Sequence, residues 1–122
     1  MKTVLVVEDA HADQYLMVSL LEQSGYEVIA KESAEDAKQW LLQEKHQPDL
    51  IVLDIVMPGS SGFDLCREIR DDTTCSEIPI VFCSSKDAEF DQFWAMRQGG
   101  NAYLTKPFLP KEFLNTVASC LN

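Results

Sequence analysis

The chain has 122 residues, 46% of them apolar, and a formal net charge of −10 from 20 acids against 10 bases. That length and apolar share suit one domain, residues 1–122, with a core that needs no disulfide or metal staple. The charge argues against nucleic acid or an anionic membrane as partner, and for basic partners or bound cations.

The apolar run from Met1 to Val7 stops at Glu8-Asp9, too short for the core of a secretion signal. The longest apolar stretch, Leu50 to Met57, is broken by Asp54, which leaves no membrane-spanning helix. Cys66, Cys75, Cys83 and Cys120 have no CxxC spacing, so free thiols and a cytoplasmic location are expected.

Thr3 to Val7 is apolar without alternation, as in a strand covered on both faces. Ala12 to Ser24 pairs Leu16 with Leu20 and Met17 with Leu21 at helical spacing, and Gly25 suits the helix end. His11, at the start of that helix, reads as a surface residue. Tyr26 to Ala30 is a weaker strand. Ser33 followed by Asp36 predicts a capped helix through about Glu44, and Pro48 then blocks helix. Leu50 to Leu53 is the most apolar strand. Gly59-Ser60-Ser61-Gly62 is a loop, and Leu65 with Ile69 mark a third helix. Pro79 to Cys83 is a fourth strand and Asp87 to Gln98 a fourth helix, closed by Gly99-Gly100. In that helix Phe93 and Met96 are assigned to the core. Phe90 and Trp94, an i,i+4 pair, are placed beside it and partly exposed, as an interaction patch or as the rim of a wide apolar face. Ala102 to Thr105 is a fifth strand. Pro110 opens a last helix whose apolar face includes Phe113, Val117 and Leu121.

Five strand–helix units in alternation predict a doubly wound α/β fold, with helices on both faces of a parallel sheet. Ligands in such sheets bind beyond the carboxyl ends of the strands. Those ends carry Glu8-Asp9, Asp54, Ser84-Ser85 and Lys106-Pro107. Singly, each has an ordinary explanation: Asp9 as a helix N-cap, a serine as the cap of the fourth helix, Lys106 as a solvated loop residue. Asp54 resists one, because an unpaired carboxylate in an apolar strand is costly.

Together the residues imply chemistry. Clustered carboxylates call for a cation, and Mg²⁺ needs only one or two of them plus waters or a backbone carbonyl such as that of Val56. A carboxylate beside Mg²⁺ and a lysine can attack a phosphoryl group and form an aspartyl phosphate. Lys106 and Ser84 would offset the charge on the transferring oxygens.

The ordered set Glu8-Asp9, Leu53-Asp54-Ile55-Val56-Met57-Pro58, Gly62, Ser84 and Lys106-Pro107-Phe108 resembles the receiver domain of two-component response regulators, of the stand-alone CheY type. The resemblance runs from Thr3 to Leu121. It implies a five-stranded sheet in the order 2-1-3-4-5, flavodoxin-like in architecture. It implies that Asp54 accepts phosphate from the phosphohistidine of a histidine kinase or phosphotransfer domain. Glu8, Asp9, Asp54 and the Val56 carbonyl would hold Mg²⁺ or Mn²⁺. Ser84 and Lys106 would contact the phosphoryl group, Tyr103 would be an aromatic switch, and the bond before Pro107 would be cis.

Output would pass through the fourth helix, fifth strand and fifth helix, with Phe90, Trp94 and Tyr103 facing an output protein or a second copy in a homodimer. The Phe93-to-Gly99 run looks most like regulators of pilus motility and phototaxis. Two positions depart from common patterns, Val56 two residues after Asp54 and Lys86 two after Ser84. The apolar Val56 leads us to expect slow loss of phosphate.

The chain, ending at Asn122, is expected to lack an output domain and to modify only itself. A phosphate sink for a shared kinase and a phosphate-independent scaffold stay open as alternatives. A turnover phosphatase is disfavoured because Val56 stands where those enzymes place a second acid. FMN binding and P-loop chemistry are disfavoured because Glu8-to-Asp13 is acidic and GxxxxGK[ST] is missing.

Overall fold

A run such as Leu50-Ile51-Val52-Leu53 carries apolar side chains on both sides of an extended backbone, so it is stable only with both faces covered. The computed structural model, which describes all 122 residues, meets that demand. Five parallel strands form one sheet: β1 (Thr3–Val7), β2 (Glu27–Lys31), β3 (Leu50–Leu53), β4 (Ile80–Ser84) and β5 (Ala102–Thr105). Their order is β2-β1-β3-β4-β5, as the resemblance implied. They alternate with α1 (His11–Gln23), α2 (Ala34–Lys38), α3 (Gly62–Asp71), α4 (Glu89–Arg97) and α5 (Pro110–Leu121).

The two-residue period of the strands splits the core into two layers. Leu5, Val7, Ile51, Leu53, Ile80 and Phe82 pack under α2, α3 and α4. Val4, Val6, Leu50, Val52, Val81 and Cys83 pack under α1 and α5, against Met17, Leu21, Phe113 and Val117. Leu16 lies outside this layer and is exposed. All four cysteines are free thiols. No helix is long and apolar enough to cross a membrane.

Local signals act as their chemistry requires. The Ser33 hydroxyl accepts the Asp36 N–H at 3.1 Å and opens α2. Gly25, at φ +93°, ends α1 in a conformation that suits glycine. β4 begins at Ile80 rather than Pro79, because proline has no N–H for the ladder. The Ile80 N–H donates to Asn101 Oδ1 at 2.8 Å, and Ser84 becomes the last strand residue.

Two expectations need correction. The second helix does not stay α-helical to Glu44. It widens into a π-helical turn over Gln39–Gln43, where the Glu44 N–H donates to the Gln39 carbonyl at 2.8 Å. The smaller angular step of this turn lets Trp40, Leu41 and Leu42 all pack on one core layer. In α4, neither Phe93 nor Met96 enters the core: they are 59% and 45% exposed. Ala95 is the buried residue, since only a small side chain fits so close to the sheet. The Phe93 ring instead lies under the Arg97 guanidinium, 5.7 Å from its centroid.

Two contacts fix the loops around the strand ends. Gly62 presses against the end of β3: a Cβ there would stand 2.0 Å from the Asp54 carbonyl oxygen, and its N–H donates to Ile55 at 2.8 Å. Ser61 caps α3 on the spot, accepting the Asp64 N–H at 3.2 Å. Arg70 ties α3 to the starts of β4 and β5. It donates to the carbonyls of Ser76, Ile78 and Gly99 at 2.7–3.1 Å and to Asn101 Oδ1 at 3.0 Å.

Gly62→Ala is expected to destabilise the fold by about 1–3 kcal/mol, because the clash is with backbone that cannot rotate away. Urea denaturation checks this, and an unchanged midpoint contradicts it. Arg70→Lys is expected to cost about 1–2 kcal/mol in the same assay. An ammonium cannot span the acceptors that the guanidinium fork reaches.

Candidate functional site

Parallel pairing brings the strand carboxyl ends to one edge. Val7 is paired with Leu53, so Glu8-Asp9 and Asp54 leave the sheet side by side. Ser84 is paired with Thr105, which places Lys106 next. One carboxylate oxygen from each of Glu8, Asp9 and Asp54 lies within 4.8 Å of the others. Glu8 and Asp54 are buried and Asp9 is half-buried.

The Lys106 ammonium reaches into this group. It donates to Glu8 Oε1 at 2.5 Å, Asp13 Oδ2 at 3.0 Å and Asp54 Oδ2 at 3.2 Å. Asp54 Oδ1 accepts the N–H groups of Ile55 at 2.7 Å and Val56 at 3.3 Å. Glu8 Oε2 accepts the Ala10 N–H at 3.1 Å. Burial pushes the Glu8 carboxyl up to about 7, and the charge of Asp54 adds to this while the Lys106 hydrogen bond opposes it. Burial works to lower Lys106, but its bonds to Glu8 and Asp13 outweigh this and hold it above the usual lysine range. One ammonium thus contacts three acids, Glu8, Asp13 and Asp54, with Asp9 clustered beside two of them. The donors are hard oxygens, the set that suits Mg²⁺ or Mn²⁺, so the residues fit a divalent cation of that class.

The ordinary explanations for single residues do not hold. The N-cap of α1 is Ala10, not Asp9, and the N-cap of α4 is Ala88, so neither serine caps it. Lys106 is no solvated loop residue, being only 13% exposed. His11 lies at the surface and pairs with Glu32 at 3.0 Å.

Ser84 is buried, and its hydroxyl accepts the Lys86 N–H at 3.3 Å. The Tyr103 hydroxyl donates to the Lys86 carbonyl at 2.6 Å, and burial pushes its phenol up to about 12. Both residues therefore brace the loop that follows β4. The Val56 side chain is 54% exposed beside Asp54. The Lys106–Pro107 bond is cis. Phe90 and Trp94 lie apart from the acids on α4, with parallel rings 6.3 Å between centroids and both exposed. The one cavity, lined by Thr3, Glu27, Ile29, Trp40, His46 and Gln47, opens at the amino ends of β1 and β2, away from the acids.

Asp13 is the residue that motif reasoning overlooks. An acid in the first turn of a helix reads as a partner of the helix dipole. The signal that could have found it is its place one turn into the helix that follows the acidic end of β1.

Comparison with known proteins agrees with this geometry. The response regulator receiver domain family matches residues 4–118. The protein PilH of Pseudomonas aeruginosa is 37% identical over 121 residues, 99% of this chain and 98% of PilH. The chemotaxis protein CheY4 of Vibrio cholerae superposes with a TM-score of 0.92 at 26% identity, covering 99% of each chain. The Mn²⁺-bound form of response regulator Rcp1 superposes with a TM-score of 0.83 at 28% identity, over 98% of this chain and 91% of that one. With the acids and lysine set at the edge of such a sheet, and a match over nearly its whole length, the chain belongs to the response regulator receiver domains of two-component signalling.

Proposed function

We infer that Asp54 is the phosphoacceptor of a phosphorylation-controlled binding switch. The observation that carries this is the setting of its carboxylate. Oδ1 is held by two backbone N–H groups and Oδ2 faces the Lys106 ammonium, at an edge with two further acids.

The donor is a histidine kinase or phosphotransfer domain. An Asp54 oxygen attacks the phosphorus of a phosphohistidine, the O–P bond forms, the P–N bond breaks, and the imidazole leaves with a proton from water. Lys106 offsets charge on the phosphoryl oxygens. Glu8, Asp9, Asp54 and the Val56 carbonyl would hold Mg²⁺ or Mn²⁺, which would supply charge to offset the acids and the phosphoryl group. The Mn²⁺ in Rcp1 supports that choice.

Ser84, whose hydroxyl now engages the Lys86 N–H, turns to a phosphoryl oxygen. Tyr103, which holds the same loop through the Lys86 carbonyl, responds. The change reaches α4, β5 and α5, where Phe90 and Trp94 stand exposed for an output protein or a second copy. The protein modifies itself only and works in the cytoplasm. Its likeness to the chemotaxis protein CheY4 of Vibrio cholerae supports a regulator of motility.

Incubation with acetyl phosphate and Mg²⁺ is expected to add one phosphoryl mass to the wild type. Asp54→Asn, or removal of the metal with EDTA, is expected to abolish it. An unmodified wild type under these conditions overturns the assignment and favours a phosphate-independent scaffold. A pull-down that depends on Asp54 phosphorylation separates a switch from a phosphate sink.

Val56→Asn is expected to speed loss of the phosphate about tenfold, the effect of about 1.4 kcal/mol on the barrier. Valine offers an attacking water no hydrogen bond from its side chain, whereas asparagine does. Decay of the phosphorylated mass after donor removal measures this, and an unchanged or slower decay rejects it.

A further inference from the structure

We propose that Asp13 is a positioning residue for phosphoryl transfer: it holds the Lys106 ammonium back from Asp54 in the unphosphorylated protein and so slows phosphorylation. This rests on Asp54 being the phosphoacceptor.

An ammonium has three N–H donors. Lys106 has three carboxylate partners, and the contact with Asp54 is the longest of them, at 3.2 Å. A phosphoryl group arriving at Asp54 must draw a donor away from another acid. Glu8 shares a cation-sized cluster with Asp9 and Asp54, so its charge has a second counterion available. Asp13 lies outside that cluster, and Lys106 is its one ion-pair partner. It therefore keeps its grip on the lysine when the other acids are engaged elsewhere.

Asp13 cannot follow the lysine toward Asp54. It sits in the first turn of α1, and the next residue pins that turn to the sheet. The Gln14 amide donates to the Glu8 carbonyl at 3.0 Å and the Lys31 carbonyl at 3.4 Å. The Asp13 side chain is 43% exposed, so water replaces the lysine when it leaves. The brake is consequently mild.

The test compares the wild type with Asp13→Asn, Asp13→Ser and Asp13→Glu, each folded by circular dichroism, in saturating Mg²⁺ across a series of acetyl phosphate concentrations. Asp13→Asn and Asp13→Ser are expected to raise the maximal rate of Asp54 phosphorylation roughly two- to fivefold, the range of a part-exposed ion pair. The half-saturating donor concentration stays unchanged. Asp13→Glu restores the slow rate. The ¹⁵N signal of the Lys106 ammonium is expected to shift in the Asn and Ser variants before any donor is added. A labelled wild type with unchanged or slower Asn and Ser variants overturns this proposal alone. So does a fast Glu variant. An unlabelled wild type overturns the phosphoacceptor assignment, and this proposal with it.

Discussion

Lys106 donates to Glu8, Asp13 and Asp54 at once, from a position in which seven-eighths of its side chain is shielded from water. Buried charges are tolerated only when paired, and losing one partner strands the rest. The carboxyl edge of the sheet is organised around that requirement. The lysine compensates part of the negative charge and leaves the remainder of Glu8, Asp9 and Asp54 as a standing demand for a cation. Burial raises the Glu8 carboxyl, and the neighbouring Asp54 charge adds to that rise. No buried side-chain polar atom lacks a partner, so this imbalance is one of charge and not of missing hydrogen bonds.

The sheet makes the arrangement possible. Three carboxylates and an ammonium come from segments separated by up to 98 residues, yet register alone brings them to one edge. Gly62 keeps the turn after Asp54 tight against its carbonyl, and Arg70 holds α3 to the β4 and β5 side of the sheet. The aspartate and the lysine therefore sit on a rigid frame. The residues that brace the loop after β4, Ser84 and Tyr103, do so through single hydrogen bonds to Lys86. Single bonds of this kind are easily exchanged for others, which suits a conformational change.

Much of this was legible in the chain itself. β1 and β3 fall where the apolar runs place them, because a strand covered on both faces leaves a continuous signature. Glu8, Asp9, Asp54 and Lys106 stood out because charge at the end of an apolar run is costly without a purpose. The misses share a cause. Phe93 and Met96 lie on a helix whose approach to the sheet is set by Ala95, and hydrophobicity does not rank a methyl above an aromatic ring. The π-helical turn at Gln39–Gln43 depends on three consecutive side chains packing together, and helical periodicity assumes that they diverge. Asp13 acts through a lysine 93 residues away, a pairing that no local pattern encodes.

Ala95 has a consequence for how α4 is held. It is the one residue of that helix in the core, whereas α3 contributes Leu65, Cys66 and Ile69. Apolar burial scales with the area withdrawn from water, so α4 contributes less fully buried apolar surface than α3. Lifting this helix from the sheet therefore exposes far less apolar surface than lifting α3. Its aromatic residues Phe90, Phe93 and Trp94 are only partly covered, at 70%, 59% and 41% exposure. The molecule thus carries exposed aromatic surface on a helix with a light hold on the core. Such an arrangement suits a surface that reorients while both layers of the core stay in place.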